Sequence, residues 1–155
     1  MASKQKAQGR KWEKYWIDFF ATLFDLKERV INKKTKLPNF DWEIARAEEV
    51  SQVYDNLGMD MVFKEQKKYP FAVQIKSTST RSIKSKPIDI QPLMEIKCNK
   101  DKIPLLCTTV LHTKKGNKRR SHYGDYITIK AEDFERLLRH NFELIKRTEN
   151  EKNKE

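Results

Sequence analysis

The stretch GMDMVFKEQKKYPFAVQIKS, residues 58–77, decides the fold. Two runs of alternating polar and apolar residues flank a polar segment, and this alternation is typical of two neighbouring β-strands. We predict strands over residues 59–64 and 70–77, with the polar segment as the turn between them. Gly58 separates the first strand from the residues before it.

The register of this hairpin determines which polar side chains meet. A turn centred on Lys67 pairs residues whose numbers sum to 134, and Asp60 then lies opposite Gln74. Lys76 lies one pleat along on the same face, because side chains alternate between the two faces of a strand. A slip of one residue would separate these side chains.

Upstream of the hairpin, residues 9–26 carry apolar side chains at helical spacing, and we predict a helix there. At 100° per residue, Trp12, Trp16 and Phe20 fall on one wide apolar face. Glu13 falls within that face, although a carboxylate that loses water costs free energy. Its position therefore needs a functional or structural reason.

The remaining segments place the hairpin in the middle of an α/β chain. Before it we predict a loop over 27–40 and a helix over 42–56. We predict an α/β fold with a central mixed β-sheet of four to five strands flanked by helices. A single domain over 10–146 lies between a disordered basic tail over 1–9 and a frayed charged C-terminus over 147–155. After the hairpin, turn residues and apolar runs predict a loop over 78–90, a helix over 92–100, a strand over 103–112, a basic turn over 114–120, a strand over 123–130 and a helix over 131–145.

The charge balance indicates a polyanionic partner. The 155 residues include 33 Lys and Arg against 22 Asp and Glu, a net charge of +11. Nucleic acid is the default partner of a small domain this basic. No run approaches the roughly 20 apolar residues of a membrane helix, and the first residues lack a secretory pattern, so we expect a cytoplasmic protein with no membrane partner. Cys98 and Cys107 fit no zinc spacing.

The basic residues are unevenly distributed. Residues 64–86 contain seven Lys and Arg and one acid, and residues 114–120 contain five basic residues and no acid. A solvated turn is the alternative for the second stretch, and an ion pair with Glu13 is the alternative for Arg46. The predicted DNA contacts are Arg10, Lys11, Arg46, Ser77, Thr78, Arg81, Lys84, Lys86, Lys114, Lys115, Lys118, Arg119 and Arg120.

Four polar side chains converge in this arrangement: Asp60, Gln74 and Lys76 on one face of the sheet, with Glu13 able to reach them from the first helix. Carboxylate and amide oxygens are hard ligands that suit Mg²⁺, and Mn²⁺ is expected to substitute. Lys76 beside such a cation can hold a water near a scissile phosphate and stabilise negative charge in the transition state. The set requires no nucleophilic side chain and no small-molecule cofactor.

These residues resemble the signature of the PD-(D/E)XK nuclease superfamily. The fourteen-residue step from Asp60 to Gln74-Ile75-Lys76 is similar to the superfamily's catalytic motif, and Glu13 is similar to its frequent upstream acid. The closing strands and helix look like those of the archaeal and phage Holliday junction resolvases of this superfamily. The resemblance therefore implies a restriction-endonuclease-like core.

The resemblance also implies roles for individual residues. Asp60, Gln74 and Glu13 are then ligands of Mg²⁺ together with the backbone carbonyl of Ile75, and Lys76 is the catalytic lysine. The implied activity is that of a Mg²⁺-dependent endodeoxyribonuclease, foremost a structure-selective Holliday junction resolvase. Such an enzyme acts as a homodimer on branched or duplex DNA in a bacterial, archaeal or phage-infected cell.

The resemblance covers about residues 9–140 and departs from the family pattern at two positions. Gln74 is neutral where most members carry an acid, and Met59 stands where a proline is usual. Three alternatives stay open: a restriction or nicking enzyme of the same superfamily, a nucleic-acid-binding module without catalysis, and an RNA-binding or ribosome-associated protein. Cleavage of DNA with added metal separates the first of these from the other two.

Overall fold

A computed structural model describes residues 2–79, 102–113 and 120–152 of the chain. The described part is an α/β fold in which helices flank a five-stranded mixed sheet, as the sequence predicts. Its elements, in chain order, are α1 (Ala2–Phe24), β1 (Ile44–Arg46), α2 (Ala47–Val50), α3 (Gln52–Asn56), β2 (Met61–Phe63), β3 (Phe71–Ser79), β4 (Ile103–Thr113), β5 (Arg120–Thr128) and α4 (Ala131–Lys152).

The strands lie side by side in chain order, from β1 to β5. β2 pairs antiparallel with β3 through Met61 opposite Val73, which is the register predicted from the alternation of residues 58–77. β3 pairs in parallel with β4, from Phe71 opposite Ile103 to Ser79 opposite Leu111, and β4 pairs antiparallel with β5. β3 is therefore the central strand of the sheet, with β2 on one side and β4 on the other.

α1 covers one face of this sheet. The predicted apolar face is confirmed for Trp12, Trp16 and Phe20, which are buried in one cluster with Phe63 and Val73. A smaller cluster on the other side of the sheet contains Ala47, Met59, Val62 and Ala72. Because Val73 and Ile75 face α1, Gln74 and Lys76 of the same strand face the opposite way.

The predicted helix over 42–56 is wrong in its first half. Ile44, Ala45 and Arg46 form β1, which pairs antiparallel with β2 and buries Ile44 and Ala45 completely or nearly so. Pairing with the sheet overrides the helix-forming residues that follow, because a strand edge offers more buried contacts than an isolated turn. The helical part survives as α2 and α3, and Ser51 caps α3 by accepting from the Val53 N–H.

Both terminal helices are longer than predicted. α1 begins at Ala2 and includes most of the expected disordered tail, where Ala, Lys and Gln are good helix formers. α4 continues to Lys152, beyond the predicted end at residue 145 and into the stretch expected to fray. The apolar spacing within the predicted helix over 131–145 predicts that Phe134, Leu137 and Leu138 are buried. Leu137 does pack against the core, but Phe134 and Leu138 are 51% and 40% exposed.

The predicted helix over 92–100 lies outside the described residues, as do most of the loop over 78–90 and all but the last residue of the basic turn over 114–120. The loop's first two residues belong to β3. In the described part of the chain, no helix combines the length and apolar character that crossing a bilayer would require.

Candidate active site

Asp60 stands at the point where the chain enters β2. Gly58, with a φ of 76°, turns the chain out of α3 at an angle that residues with a Cβ rarely adopt. The Asp60 N–H then donates to the Val73 carbonyl at 2.9 Å, which holds the residue before β2 against β3. The shown pairing of β2 with β3 is Met61 opposite Val73, and the pairing of Asp60 with Gln74 stays a prediction.

The carboxylate of Asp60 is fixed against β3. Its Oδ2 accepts the backbone N–H of Ile75 at 2.6 Å. The N–H and C=O of one strand residue point toward the same neighbouring strand. The carbonyl of Ile75 is therefore directed to the side of the strand on which the Asp60 carboxylate lies.

The environment of Asp60 favours its protonated form. Burial raises the pKa of Asp60 most strongly, and the charge of Asp55 raises it further. The Ile75 N–H and the positive charge of Lys76 act in the opposite direction but do not cancel the effect of burial. Lys76 itself is exposed on β3, so a mobile cationic side chain lies close enough to act on Asp60 electrostatically.

Glu13 faces Asp60 from α1. Burial raises the pKa of Glu13 most strongly, and the negative charge of Asp60 is the next cause. Arg46 works against both, with its Nε 3.6 Å from Glu13 Oε2. Two half-buried carboxylates create a negative potential that raises their affinity for protons. The same negative potential favours the binding of a metal cation.

Gln74 shares a strand face with Lys76 and is half-buried. In the parallel register it pairs with Leu106, and Lys76 pairs with Thr108. The structure thus brings the Ile75 backbone, Lys76 and Glu13 close to Asp60. Gln74 lies on the same strand face as Lys76, and its contact with a cation at Asp60 stays a prediction.

The predicted DNA-contacting residues near this site are partly engaged within the chain. Arg46 lies 3.7 Å from Glu49 as well as beside Glu13, and its Nη2 donates to the Arg10 carbonyl at 3.1 Å. The ion-pair alternative for Arg46 is therefore present, and a phosphate contact stays a prediction. Arg10 Nε lies 3.3 Å from Glu48 Oε1.

The other predicted DNA contacts lie on α1, β3 and β5 or outside the described residues. Lys11 lies over the ring of Trp12, while Ser77 and Thr78 occupy the second half of β3. Arg120 is the first residue of β5, opposite Thr113. The residues outside the described part are Arg81, Lys84, Lys86, Lys114, Lys115, Lys118 and Arg119.

A second polar group, which the sequence did not indicate, lies between α1 and the strands β4 and β5. Asp125 accepts from Tyr15 Oη at 2.5 Å and from Thr109 Oγ1 at 2.9 Å, and His122 Nε2 lies 3.0 Å from it. Trp16 Nε1 donates to Thr109 Oγ1 at 3.0 Å. We call Tyr15, Trp16, Thr109, His122 and Asp125 the Asp125 cluster.

The Asp125 cluster is electrostatically satisfied. Partial burial acts to raise the pKa of Asp125, but the hydrogen bonds from Tyr15, His122 and Thr109 outweigh it, and the pKa is lowered. The hydrogen bond that Tyr15 donates to Asp125 raises the pKa of the Tyr15 phenol. No spacing rule finds this cluster, because Tyr15 and Asp125 are 110 residues apart in the sequence.

The donor set at Asp60 fits Mg²⁺. Within the described ranges, no group of three or more His, Cys, Asp and Glu side chains is arranged to hold a metal ion. A cation at Asp60 and Glu13 would therefore also need neutral oxygens, such as the Ile75 carbonyl and the Gln74 amide. Mg²⁺ accepts such a set, because it usually binds one or two carboxylates and keeps waters and substrate phosphates as its other ligands.

Comparison with known proteins supplies no relative from which to transfer a function. No family model, no curated protein and no solved structure matches this chain. The functional assignment therefore rests on the site itself and on the sequence resemblance.

Proposed function

We propose that the protein is a Mg²⁺-dependent endonuclease that hydrolyses phosphodiester bonds in DNA. The observation that carries the proposal is the Asp60 carboxylate, held against the Ile75 backbone, acted on by Lys76 and faced by a second carboxylate, Glu13. The resemblance of the same residues to the PD-(D/E)XK signature, with its restriction-endonuclease-like core, supports it.

Each residue has a distinct role in this proposal. Asp60 and Glu13 hold the divalent cation, with Gln74 and the Ile75 carbonyl as neutral ligands. A divalent cation bound there acts as a Lewis acid toward the phosphate and lowers the pKa of a bound water. Lys76 positions the attacking water and stabilises the negative charge that develops on the phosphate oxygens. Arg46 limits the repulsion between the two carboxylates while the cation is absent.

Branched DNA is the substrate we favour within this class. The resemblance to Holliday junction resolvases is the reason, and it implies a homodimer whose two sites cut two strands of a four-way junction. The net charge of +11 suits a substrate in which several duplex arms meet. A restriction or nicking activity on linear duplex is the alternative within the class.

A nucleic-acid-binding module without catalysis is the second candidate. The ion pair of Arg46 with Glu13 favours it, because an Arg can replace a metal ion as the partner of a carboxylate. The neutral Gln74 favours it as well, because the site then has one acid fewer than the usual motif. This candidate predicts DNA binding with no metal-dependent cleavage.

Cleavage of supercoiled plasmid with and without Mg²⁺ separates the candidates. We expect nicked or linear product with wild-type protein and Mg²⁺, and none with Lys76→Ala, a change on an exposed side chain that leaves the fold intact. A panel of linear, flap and four-way DNA then identifies the preferred substrate. Binding without cleavage by the wild type, or equal cleavage by Lys76→Ala, would refute the nuclease proposal.

A further inference from the structure

Residues 28–41, nearly all within the predicted loop over 27–40, fold back on themselves in a short hairpin next to β1, which we call the lysine hairpin. Glu28 bridges to Ile44 of β1, and Ile31 bridges to Pro38 across the hairpin. The Asn39 N–H donates to the Val30 carbonyl at 3.1 Å. The lysine hairpin is thus held together by backbone hydrogen bonds and joined to β1 by one bridge.

The tip of the lysine hairpin is held by a side chain. Asn32 Oδ1 accepts the N–H groups of Lys34 at 2.8 Å and Thr35 at 3.2 Å. The N–H of Lys36, a residue with a φ of 59°, donates to the Asn32 carbonyl at 2.9 Å. These hydrogen bonds order the backbone of the tip before any ligand binds, which reduces the backbone entropy lost on binding.

Charge is neutralised at the base of the lysine hairpin but not at its tip. At the base, Lys27 pairs with Asp41 at 2.7 Å, and Glu28 pairs with Lys14. Residues 30–40 contain three lysines and no acid. The side chains of these lysines form no ion pair with any residue in the described ranges. The three lysines are Lys33, Lys34 and Lys36.

The lysine hairpin also carries exposed apolar side chains. Phe40 is 80% exposed, and Val30 and Leu37 are 62% and 54% exposed. The main chain at Phe40 is fixed, because its carbonyl accepts from Lys64 Nζ at 2.6 Å. An exposed aromatic ring on the same hairpin as three lysines can stack on a base while the lysines contact phosphates.

We propose that the lysine hairpin is a DNA-binding element, in which Lys33, Lys34 and Lys36 contact backbone phosphates and Phe40 contacts an unstacked base. The choice of DNA over other polyanions rests on the proposed function. A second copy of this chain is a poorer occupant, because the same tip would bring three further lysines against these three. The apolar side chains indicate DNA with a break in its stacking, such as a branch point, since apolar wedges are inserted where base pairs are opened.

Direct binding tests the lysines without requiring cleavage. Fluorescence anisotropy in EDTA, with a labelled four-way DNA, compares wild type with the triple variant Lys33→Gln, Lys34→Gln and Lys36→Gln. Each phosphate contact contributes about −0.9 to the slope of log K against log salt, so the loss of three contacts makes the slope about 2.7 less negative. A fourfold rise in salt should then weaken wild type about 40-fold more than the triple variant.

A matched triple variant on α4 controls for net charge. Arg136→Gln, Arg139→Gln and Lys146→Gln remove the same charge from exposed positions of that helix. We expect its salt slope to stay close to that of wild type. Equal slopes for the two triple variants, an unchanged slope for the hairpin variant, or no DNA binding by wild type would each overturn the proposal.

Phe40→Ala tests the apolar contact separately. Because the ring is 80% exposed, its removal leaves the fold intact. Stacking on a base is worth about 1–3 kcal/mol, so affinity for the four-way DNA should fall roughly 5- to 150-fold, with the salt slope unchanged. Unchanged affinity of Phe40→Ala, or tighter binding of wild type to RNA of the same sequence, would overturn this part. Because neither assay measures cleavage, a non-catalytic protein with a functional hairpin is distinguished from a nuclease without one.

Discussion

Asp60 and Asp125 lie on the same sheet and beside the same helix, yet their surroundings are opposite. The carboxylate of Asp125 receives three hydrogen bonds, from Tyr15, Thr109 and His122, and its pKa is lowered. Asp60 receives one backbone N–H and faces Glu13, and its pKa is raised. The difference lies in the supply of donors, since both carboxylates are partly buried.

The contrast indicates what each carboxylate is for. A buried charge whose donors are all supplied by the protein contributes to stability and has little capacity left for a ligand. Two carboxylates with too few hydrogen-bond donors lower the stability of the fold. Proteins keep such a destabilising pair where a bound cation or substrate supplies the missing positive charge or hydrogen bonds. The Asp125 cluster is therefore read as structural, and the Asp60–Glu13 pair as the candidate site.

The largest expected effect is on cleavage. Asp60→Asn should lower the rate of DNA cleavage by at least about a thousandfold, because it removes the charged ligand on which Lewis-acid stabilisation of the phosphate depends. DNA binding should survive or tighten, since a negative charge near the phosphate is removed. Asp125→Asn, measured below its unfolding temperature, should retain cleavage. Loss of cleavage in both variants to the same extent would remove the distinction between the two carboxylates.

The next effect concerns the neutral ligand. Gln74→Ala should cost at least about tenfold in cleavage rate, because it removes a ligand, whereas Gln74→Glu should retain activity and need less Mg²⁺ for the half-maximal rate. Titration of Mg²⁺ against rate for the three proteins measures this. If Gln74→Ala behaves like wild type at every Mg²⁺ concentration, Gln74 is not a ligand.

Stability should respond at Asp125. Asp125→Asn should lower the free energy of unfolding by about 1.5–3 kcal/mol at neutral pH, because hydrogen bonds to a charged acceptor are lost. A carboxylate with a lowered folded-state pKa stabilises fully above its ordinary pKa of about 3.9, and the contribution is lost as the pH falls through the folded value. Urea unfolding of both proteins across this range should show the difference shrinking in acid. A constant difference at all pH values would contradict the charge-based explanation.

The smallest effect should have the opposite sign. Asp60→Asn keeps an acceptor for the Ile75 N–H and removes the repulsion with Glu13, so it should raise the free energy of unfolding by up to about 1 kcal/mol at neutral pH. Because the folded-state pKa of Asp60 is raised, wild type loses stability as the pH rises from about 3.9 through the folded value. The gain from Asp60→Asn should therefore vanish below about pH 3.9. A destabilised variant at neutral pH would mean that the Asp60 charge is satisfied in the folded state.

The sequence predicts the pairing of β2 with β3 well, because neighbouring residues determine it. Alternation over residues 58–77 fixes the strand faces, and the polar turn fixes the register that pairs Met61 with Val73. The juxtaposition of Asp60 with β3 follows from that register alone. The half-buried position of Glu13 is also predictable, because this residue falls within the apolar face of the first helix.

The errors arise where distant parts of the chain decide the local structure. β1 is three residues long, and only its pairing with β2 distinguishes it from the start of a helix. The Asp125 cluster joins α1 to β4 and β5, so no local spacing announces it. The exposure of Phe134 and Leu138 likewise depends on how α4 packs, whereas the spacing of its apolar residues only defines a face.

Mn²⁺ binding tests the Asp60–Glu13 site most directly. In a Lys76→Ala background, which keeps the ligands and leaves the DNA uncut, Mn²⁺ is titrated against the protein–DNA complex and the free ion is measured by electron paramagnetic resonance. We expect binding that is lost when Asp60→Asn is added and retained when Asp125→Asn is added. Binding that persists in the Asp60→Asn protein, or no protein-dependent binding at all, would contradict the assignment of Asp60 and Glu13 as the cation site.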